Sequence, residues 1–126
     1  MVHPAPPSAP GRHRALAIAL FVLSAIGLVG TWAFNVAFFL DPGDLGYLEG
    51  WFANAASSSA TVDLLVVATA AGILMLVEGA RLGWRRWAWI FVPLSLLIAV
   101  AFAFPLFLGL RELALERRAR ATAQPA

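Results

Sequence analysis

The chain has 126 residues, of which 61% are hydrophobic and 13% charged, and its formal net charge is +2. So short a chain cannot bury that much apolar surface in a water-soluble domain, which indicates a membrane protein. Cysteine is absent, which excludes disulfides and thiolate metal sites. The two histidines, His3 and His13, lie in the N-terminal tail, so we expect neither a metal site nor a cofactor. The Arg residues flank apolar stretches and form no clustered patch with stacking aromatics, so we expect no nucleic-acid partner.

Three nearly uncharged stretches predict three transmembrane helices, because about 20 helical residues cross a ~30 Å hydrocarbon core. The predicted spans are residues 15–40, 60–80 and 87–110. The fold class is therefore all-α, a polytopic membrane domain over residues 15–116. A disordered Pro-rich tail is predicted over 1–14. Residues 117–126 form a charged C-terminal tail.

The first connection predicts a short helix at the membrane–water interface. Asp41 ends the first apolar stretch and is expected to cap the short helix, with Pro42 at its first position. Tyr47, Trp51 and Phe52 then lie near one face, and aromatic side chains of this kind favour the interface. We expect this helix to lie along the bilayer surface and to be followed by the second span.

The second span carries the polar candidates at its two ends. Residues 54–61 are small and polar and are expected to cap it, with Asn54 among them. Asp63, in the predicted first turn, complements the helix dipole. Glu78 is expected to pair with Arg81, one turn later. The two acids are 15 residues apart, about 22 Å along a helix, so they cannot form a carboxylate pair within one chain.

The first span has a face of small and polar residues. Ser24, Gly27, Thr31 and Asn35 fall within an arc of roughly 80° at about 100° per residue. Such a face predicts a helix-packing seam. The alternative is that Asn35, together with Trp32, belongs to a polar pocket. The candidate functional residues are thus Asn35, Asn54, Asp63, Glu78 and Arg81, with no catalytic residue and no metal ligand assigned.

The positive-inside rule gives a near tie for a protein with three spans. With a cytoplasmic N-terminus, the inner side holds Arg12, Arg14, Arg81, Arg85 and Arg86, and the outer side holds Arg111, Arg117, Arg118 and Arg120. The first connection carries only acids, which favours the cytoplasmic N-terminus. An odd number of spans then places the C-terminus outside.

Several segments together resemble a known family, the domain of unknown function 2834, over roughly Ile18 to Glu116. They are Thr31–Asn35, Asn54–Ser59, Asp63–Leu65, Glu78–Gly83, Ala103–Leu108 and Arg111–Glu112. The most specific is the Ala-Phe-Pro-Leu-Phe-Leu stretch that leads into the Arg-Glu pair. The resemblance implies a small, multi-pass protein of the bacterial cell membrane with about three spans. It implies no activity.

Three functions remain open at this point. The leading hypothesis is a non-catalytic structural, accessory or partner-binding unit, which associates with copies of itself or with another membrane protein. The second is a membrane-embedded enzyme that acts on a lipid or isoprenoid with Asp63 or Glu78 as the acid. The third is a small proton-coupled transporter. Convergence of Asp63, Asn35, Asn54 and Trp51 on one cavity would favour the last two, whereas local backbone partners would favour the first.

Overall fold

The computed structural model describes residues 10–41 and 43–123, and within these ranges the chain is helical with no strand. The helices are α1 (Pro10–Leu40), α2 (Tyr47–Trp51), α3 (Ala55–Arg81), α4 (Arg85–Leu97) and α5 (Val100–Ala123). The predicted all-α fold is therefore confirmed. Pro42, expected at the first position of the short helix, lies outside the described residues.

Helical structure extends into both predicted tails. Residues 1–9 of the predicted tail 1–14 lie outside the described part of the chain, and α1 begins at Pro10. At the other end, α5 continues to Ala123, within the predicted tail 117–126. The basic residues of each terminal segment are therefore part of a long helix that continues into the apolar part of the protein.

Two helices, α1 and α3, are long and apolar enough to cross a membrane. Their large apolar side chains remain exposed around much of each helix, as Val29 and Phe34 on α1 and Val66 on α3 illustrate. A helix that is apolar on nearly every face needs an apolar environment on each of them. By length and composition, α1 and α3 are thus the two candidate spans.

The third span predicted over residues 87–110 is wrong, because the chain folds back on itself in the middle of this stretch. Helix α4 ends at Leu97 and α5 begins at Val100. The 13 residues of α4 reach only about 20 Å, which is less than the ~30 Å of a hydrocarbon core. The apolar part of α5, which precedes Arg111, is shorter still. The stretch forms a helical hairpin instead of a span.

The α4–α5 hairpin packs between the two long helices. Helix α4 runs back along α3, and a Cβ at Gly79 would collide with the side chain of Ala88. Helix α5 runs antiparallel to α1 and contacts α4 through the edge-on rings of Phe91 and Phe107, whose centroids are 5.4 Å apart. Phe107 is fully buried. The core therefore lies in the half of the molecule that contains the hairpin.

The seam predicted on the first span is the contact between α1 and α5. Ser24 Oγ donates a 2.8 Å hydrogen bond to the carbonyl of Phe102. A Cβ at Gly27 would collide with the carbonyl of Ala101. This carbonyl has lost its usual intrahelical donor, because Pro105, four residues later, has no N–H. The small and polar residues of α1 thus fit against the first turn of α5.

The short helix of the first connection begins later than the sequence predicts. The N–H of Asp41 still bonds to the carbonyl of Ala37, 3.1 Å away, so Asp41 ends α1 instead of capping α2. Helix α2 begins at Tyr47, and the N–H of Gly46 donates to Glu49 Oε2 at 2.9 Å. The Tyr47 ring stacks on that of Phe39 at the end of α1, with their centroids 5.7 Å apart.

Candidate functional site

A chain of ion pairs joins α1, α5 and α3 at one end of the molecule. Both carboxylate oxygens of Glu78 are held, one by Arg81 Nη1 at 2.7 Å and the other by Arg111 Nε at 2.7 Å. Arg111 Nη1 also donates to Glu112 Oε1 at 2.8 Å. The second oxygen of Glu112 lies 2.7 Å from His13 Nδ1, on α1. The network predicted as a local Glu78–Arg81 pair therefore spans three helices.

Arg111 is the central member of this network. It touches two carboxylates that are largely withdrawn from solvent, since Glu78 is 9% exposed and Glu112 is 7% exposed. The Arg111 side chain is 29% exposed, whereas that of Arg81 is 73% exposed. The hydrogen bond to Glu78 raises the pKa of the Arg111 guanidinium above its ordinary value, although burial opposes this. Arg111 thus braces α5 against α3 as a permanent cation.

Further Arg contacts close the same end of the molecule. Arg118 Nη2 donates a 2.9 Å hydrogen bond to the carbonyl of Leu82, the residue that caps the C-terminus of α3. A cation at this position also favours the negative end of the helix dipole. Arg120 forms an ion pair with Glu116, whose residue is buried. Arg118 therefore anchors the C-terminal part of α5 to the end of α3, whereas the Arg120–Glu116 pair lies within α5.

The charges of the protein are separated along its long axis. Because α1 starts, α3 ends, α4 starts and α5 ends at the same end of the molecule, all nine Arg residues lie there, and we call it the basic end. These are Arg12, Arg14, Arg81, Arg85, Arg86, Arg111, Arg117, Arg118 and Arg120. In the described part of the chain, the charged residues of the opposite half are all acidic, namely Asp41, Asp44, Glu49 and Asp63.

Asn35 and Asn54 each have a local structural partner. Asn35 Oδ1 accepts a 2.8 Å hydrogen bond from the hydroxyl of Tyr47, which ties α2 to α1. Asn54 Oδ1 accepts from the N–H groups of Ala56 and Ser57, at 2.9 and 3.0 Å. Asn54 is therefore the N-cap of α3, as predicted, although the helix begins five residues before the predicted span. The Oδ1 atom of each amide is therefore engaged within the protein.

The position predicted for Asp63, in the first turn of its helix, is wrong. Helix α3 begins at Ala55, so Asp63 lies in the third turn. It is exposed, and it makes no ion pair with the described residues. It lies about 27 Å along α3 from Arg81, so it stands near the far edge of a ~30 Å hydrocarbon core if Arg81 marks the near edge. Glu78 and Arg81 meet, whereas Asp63 stands apart from them.

Trp51 belongs to the structural connection at the acidic end. Its carbonyl accepts a 2.9 Å hydrogen bond from Thr61 Oγ1, and its ring lies 5.9 Å from that of Tyr47. The first contact joins α2 to α3, and the second lies within α2. Asn35, Asn54 and Trp51 thus have local partners, which is the pattern expected of a structural unit, and Asp63 does not share it.

Arg111, Glu112 and His13 are members of the site that the sequence prediction missed. The sequence feature that could have indicated them is the adjacent pair Arg111–Glu112 at the end of an apolar stretch. The three-span topology hid its meaning, because it placed Arg111 on the opposite side of the membrane from Glu78. Only the fold-back at the hairpin brings the two residues to the same side.

A cleft of about 300 Å³ lies between α3 and α4. Its lining is apolar apart from two hydroxyls and contains Leu65, Ala68, Thr69, Gly72, Ile73, Leu76, Val92, Ser95 and Leu96. Both hydroxyls donate to carbonyls of their own helix, Thr69 to Leu65 and Ser95 to Phe91. No acidic side chain lines this cleft. Across residues 10–41 and 43–123, no group of three His, Cys, Asp or Glu residues has the spacing of a metal site.

Comparison with known proteins identifies the family. No curated protein and no solved structure matches the chain. A family model described as "Protein of unknown function DUF2834" matches residues 19–113, which is most of the chain and runs from within α1 to just beyond the Arg111–Glu112 pair. The resemblance noted in the sequence is thereby confirmed. The chain belongs to the DUF2834 family of proteins of unknown function.

Proposed function

We propose that this chain is an integral membrane protein in which α1 and α3 cross the bilayer and the α4–α5 hairpin enters and leaves on one side. The depth of the hairpin supports this arrangement. Its tip packs beside Gly27, 12 residues from the start of the apolar stretch at Ala15, or about 18 Å into a ~30 Å core. Leu96 and Leu97 at the tip are 75% and 79% exposed, and hydrocarbon stabilises such side chains.

The separation of charge supports one orientation. Loops and termini that are rich in Arg remain on the cytoplasmic side. With every Arg at the basic end, both termini and the α3–α4 turn are cytoplasmic, and the acidic connection around α2 is external. The expected cytoplasmic N-terminus is retained in this proposal, and the C-terminus joins it. The proposed location is the bacterial inner membrane, as the family resemblance implies.

The function that this site supports best is a non-catalytic structural or accessory unit that binds copies of itself or another membrane protein. The observation that carries this conclusion is the engagement of Glu78, since Arg81 and Arg111 hold both of its oxygens. A carboxylate between two guanidiniums is stabilised as the anion and is a poor proton donor. Its contacts brace helices, which is a structural role.

The acid-dependent alternatives have weaker support. An enzyme or a proton-coupled transporter with Asp63 or Glu78 as its acid needs that acid beside a sheltered cleft. The cleft between α3 and α4 has neither acid in its lining. The two acids are about 22 Å apart along α3, so one chain offers no proton relay between them.

The test compares Glu78→Gln, Glu78→Ala and Asp63→Asn by membrane accumulation and by thermal unfolding in detergent. We expect both Glu78 variants to unfold at a lower temperature than wild type and to accumulate less, because each removes the carboxylate on α3 that Arg111 of α5 contacts. Asp63→Asn, which removes an exposed charge without an ion pair, serves as the control and should match wild type. Wild-type accumulation and unfolding of Glu78→Gln would contradict the structural role and return Glu78 to the acid-dependent alternatives.

A further inference from the structure

The start of α4 forms a surface in which cationic and aromatic side chains alternate. We call it the Arg–Trp corner, and it consists of Trp84, Arg85, Arg86, Trp87 and Ile90. Arg85, Arg86, Trp87 and Ile90 are all exposed. The N–H of Trp84 bonds to the carbonyl of Gly79 at 2.7 Å, which fixes the corner beside the C-terminal turn of α3. The corner therefore lies at the basic end, level with Arg81.

The two charges of the corner form no ion pair within residues 10–41 and 43–123. The five ion pairs of the described residues involve neither Arg85 nor Arg86. No acidic residue occupies the first turn of α4, so no nearby carboxylate neutralises them. This distinguishes them from Arg81, Arg111 and Arg120 at the same end, which are engaged with Glu side chains. Two adjacent guanidiniums remain available for an external anion.

A cleft of about 320 Å³ opens at the corner, and its composition changes along its length. Arg86 lines it together with Trp87 and Ile90. Ile90 is four residues further along α4 than Arg86, about 6 Å closer to the hairpin tip. The cleft thus has a cationic rim at the level of the basic end and an apolar wall that leads toward the hairpin. An anionic head with a hydrocarbon chain matches this gradient.

We propose that the Arg–Trp corner binds an acidic phospholipid of the inner leaflet, with its phosphate at Arg85 and Arg86 and an acyl chain along Trp87 and Ile90. This proposal depends on the membrane location proposed above. Guanidiniums pair with phosphate through directed, charge-assisted hydrogen bonds, and Trp favours the headgroup level of a bilayer. An Arg at an anionic membrane surface strengthens association about fivefold.

The test uses quenching of Trp fluorescence by lipids with brominated acyl chains, which requires contact. The full chain is reconstituted into phosphatidylcholine vesicles that contain a minor fraction of phosphatidylglycerol, with the bromine placed on either lipid at the same mole fraction. Three of the Trp residues belong to or adjoin the corner, and Trp32 and Trp51 give a constant background. We expect brominated phosphatidylglycerol to associate on the order of tenfold more strongly than brominated phosphatidylcholine.

A matched pair of variants separates a defined site from general charge attraction. Arg85→Gln/Arg86→Gln should reduce the lipid preference nearly to one. Arg12→Gln/Arg14→Gln removes the same charge from exposed positions at the same end and should leave the preference near that of wild type. Equal loss in both double variants, or equal quenching by both lipids in wild type, would overturn the site.

Two further outcomes are distinguishable. If inorganic phosphate abolishes the preference and chloride at the same ionic strength does not, the corner binds a free anion and the lipid proposal is wrong. If neither brominated lipid quenches wild-type fluorescence, the protein is not in the bilayer, and the proposed membrane location fails together with the lipid site.

Discussion

Replacing Gly27 with Ala is expected to destabilise the folded protein by about 1–3 kcal/mol, the usual cost of an extra methyl group in a tightly packed contact. The added Cβ would collide with the backbone carbonyl of Ala101. Because backbone cannot rotate aside as a flexible side chain does, α5 would have to move away from α1. That movement would also stretch the hydrogen bond from Ser24 to Phe102. Thermal unfolding in detergent, monitored by circular dichroism, measures the effect.

Gly30→Ala is the matched control, on the same helix and three residues away. A Cβ at Gly30 would have no heavy atom within 4 Å outside the adjoining backbone of its own helix. The general gain from replacing Gly with Ala in a helix applies at both positions, so it cancels in the comparison. Equal unfolding midpoints for the two variants would show that α5 does not approach α1 at Gly27.

Replacing Arg111 with Gln is expected to lower the unfolding free energy by about 1–2 kcal/mol, after allowance for solvent screening at a partly exposed site. The variant removes the only cation that contacts both Glu78 and Glu112 in the described structure. Two largely buried carboxylates would then each lose Arg111 as a compensating cation. The measurement is again the unfolding midpoint, at low and at high salt.

Arg81→Gln is the control for this second variant. Arg81 contacts Glu78 at the same 2.7 Å distance as Arg111, but its side chain is 73% exposed and it lies on the same helix as its partner. Exposed pairs of this kind contribute little, so we expect no measurable change in the midpoint. An effect of Arg81→Gln as large as that of Arg111→Gln would contradict the bracing role assigned to Arg111.

The features of the fold that the sequence predicted correctly are local ones. The apolar stretches of α1 and α3 predict long helices because their length and composition leave no other way to satisfy the backbone in an apolar environment. Asn54 predicts a cap because its side chain reaches the N–H groups two and three residues ahead. The pairing of Glu78 with Arg81 follows from their spacing of one helical turn.

The hairpin could not be predicted in the same way. Residues 87–110 have the length and hydropathy of a span, and the turn at Ile98 and Ala99 contains neither Gly nor Pro. The break depends on a tertiary fit, in which Gly27 admits the first turn of α5 and Ser24 bonds to it. If residues 87–110 are treated as one continuous helix, Arg111 is placed at the opposite end of the molecule from Glu78. The wrong third span therefore also concealed the Glu78–Arg111 contact at the centre of the site.

The most direct test of the two-span arrangement is to determine the side of the membrane on which the C-terminus lies. The natural chain has no cysteine, so single-Cys variants Asp44→Cys and Ala121→Cys give unambiguous positions for an impermeant maleimide. In intact cells, the two-span arrangement predicts labelling of Asp44→Cys and protection of Ala121→Cys, which becomes labelled only after the inner membrane is permeabilised. Labelling of Ala121→Cys from outside in intact cells would mean that residues 87–110 cross the bilayer, and it would contradict the hairpin.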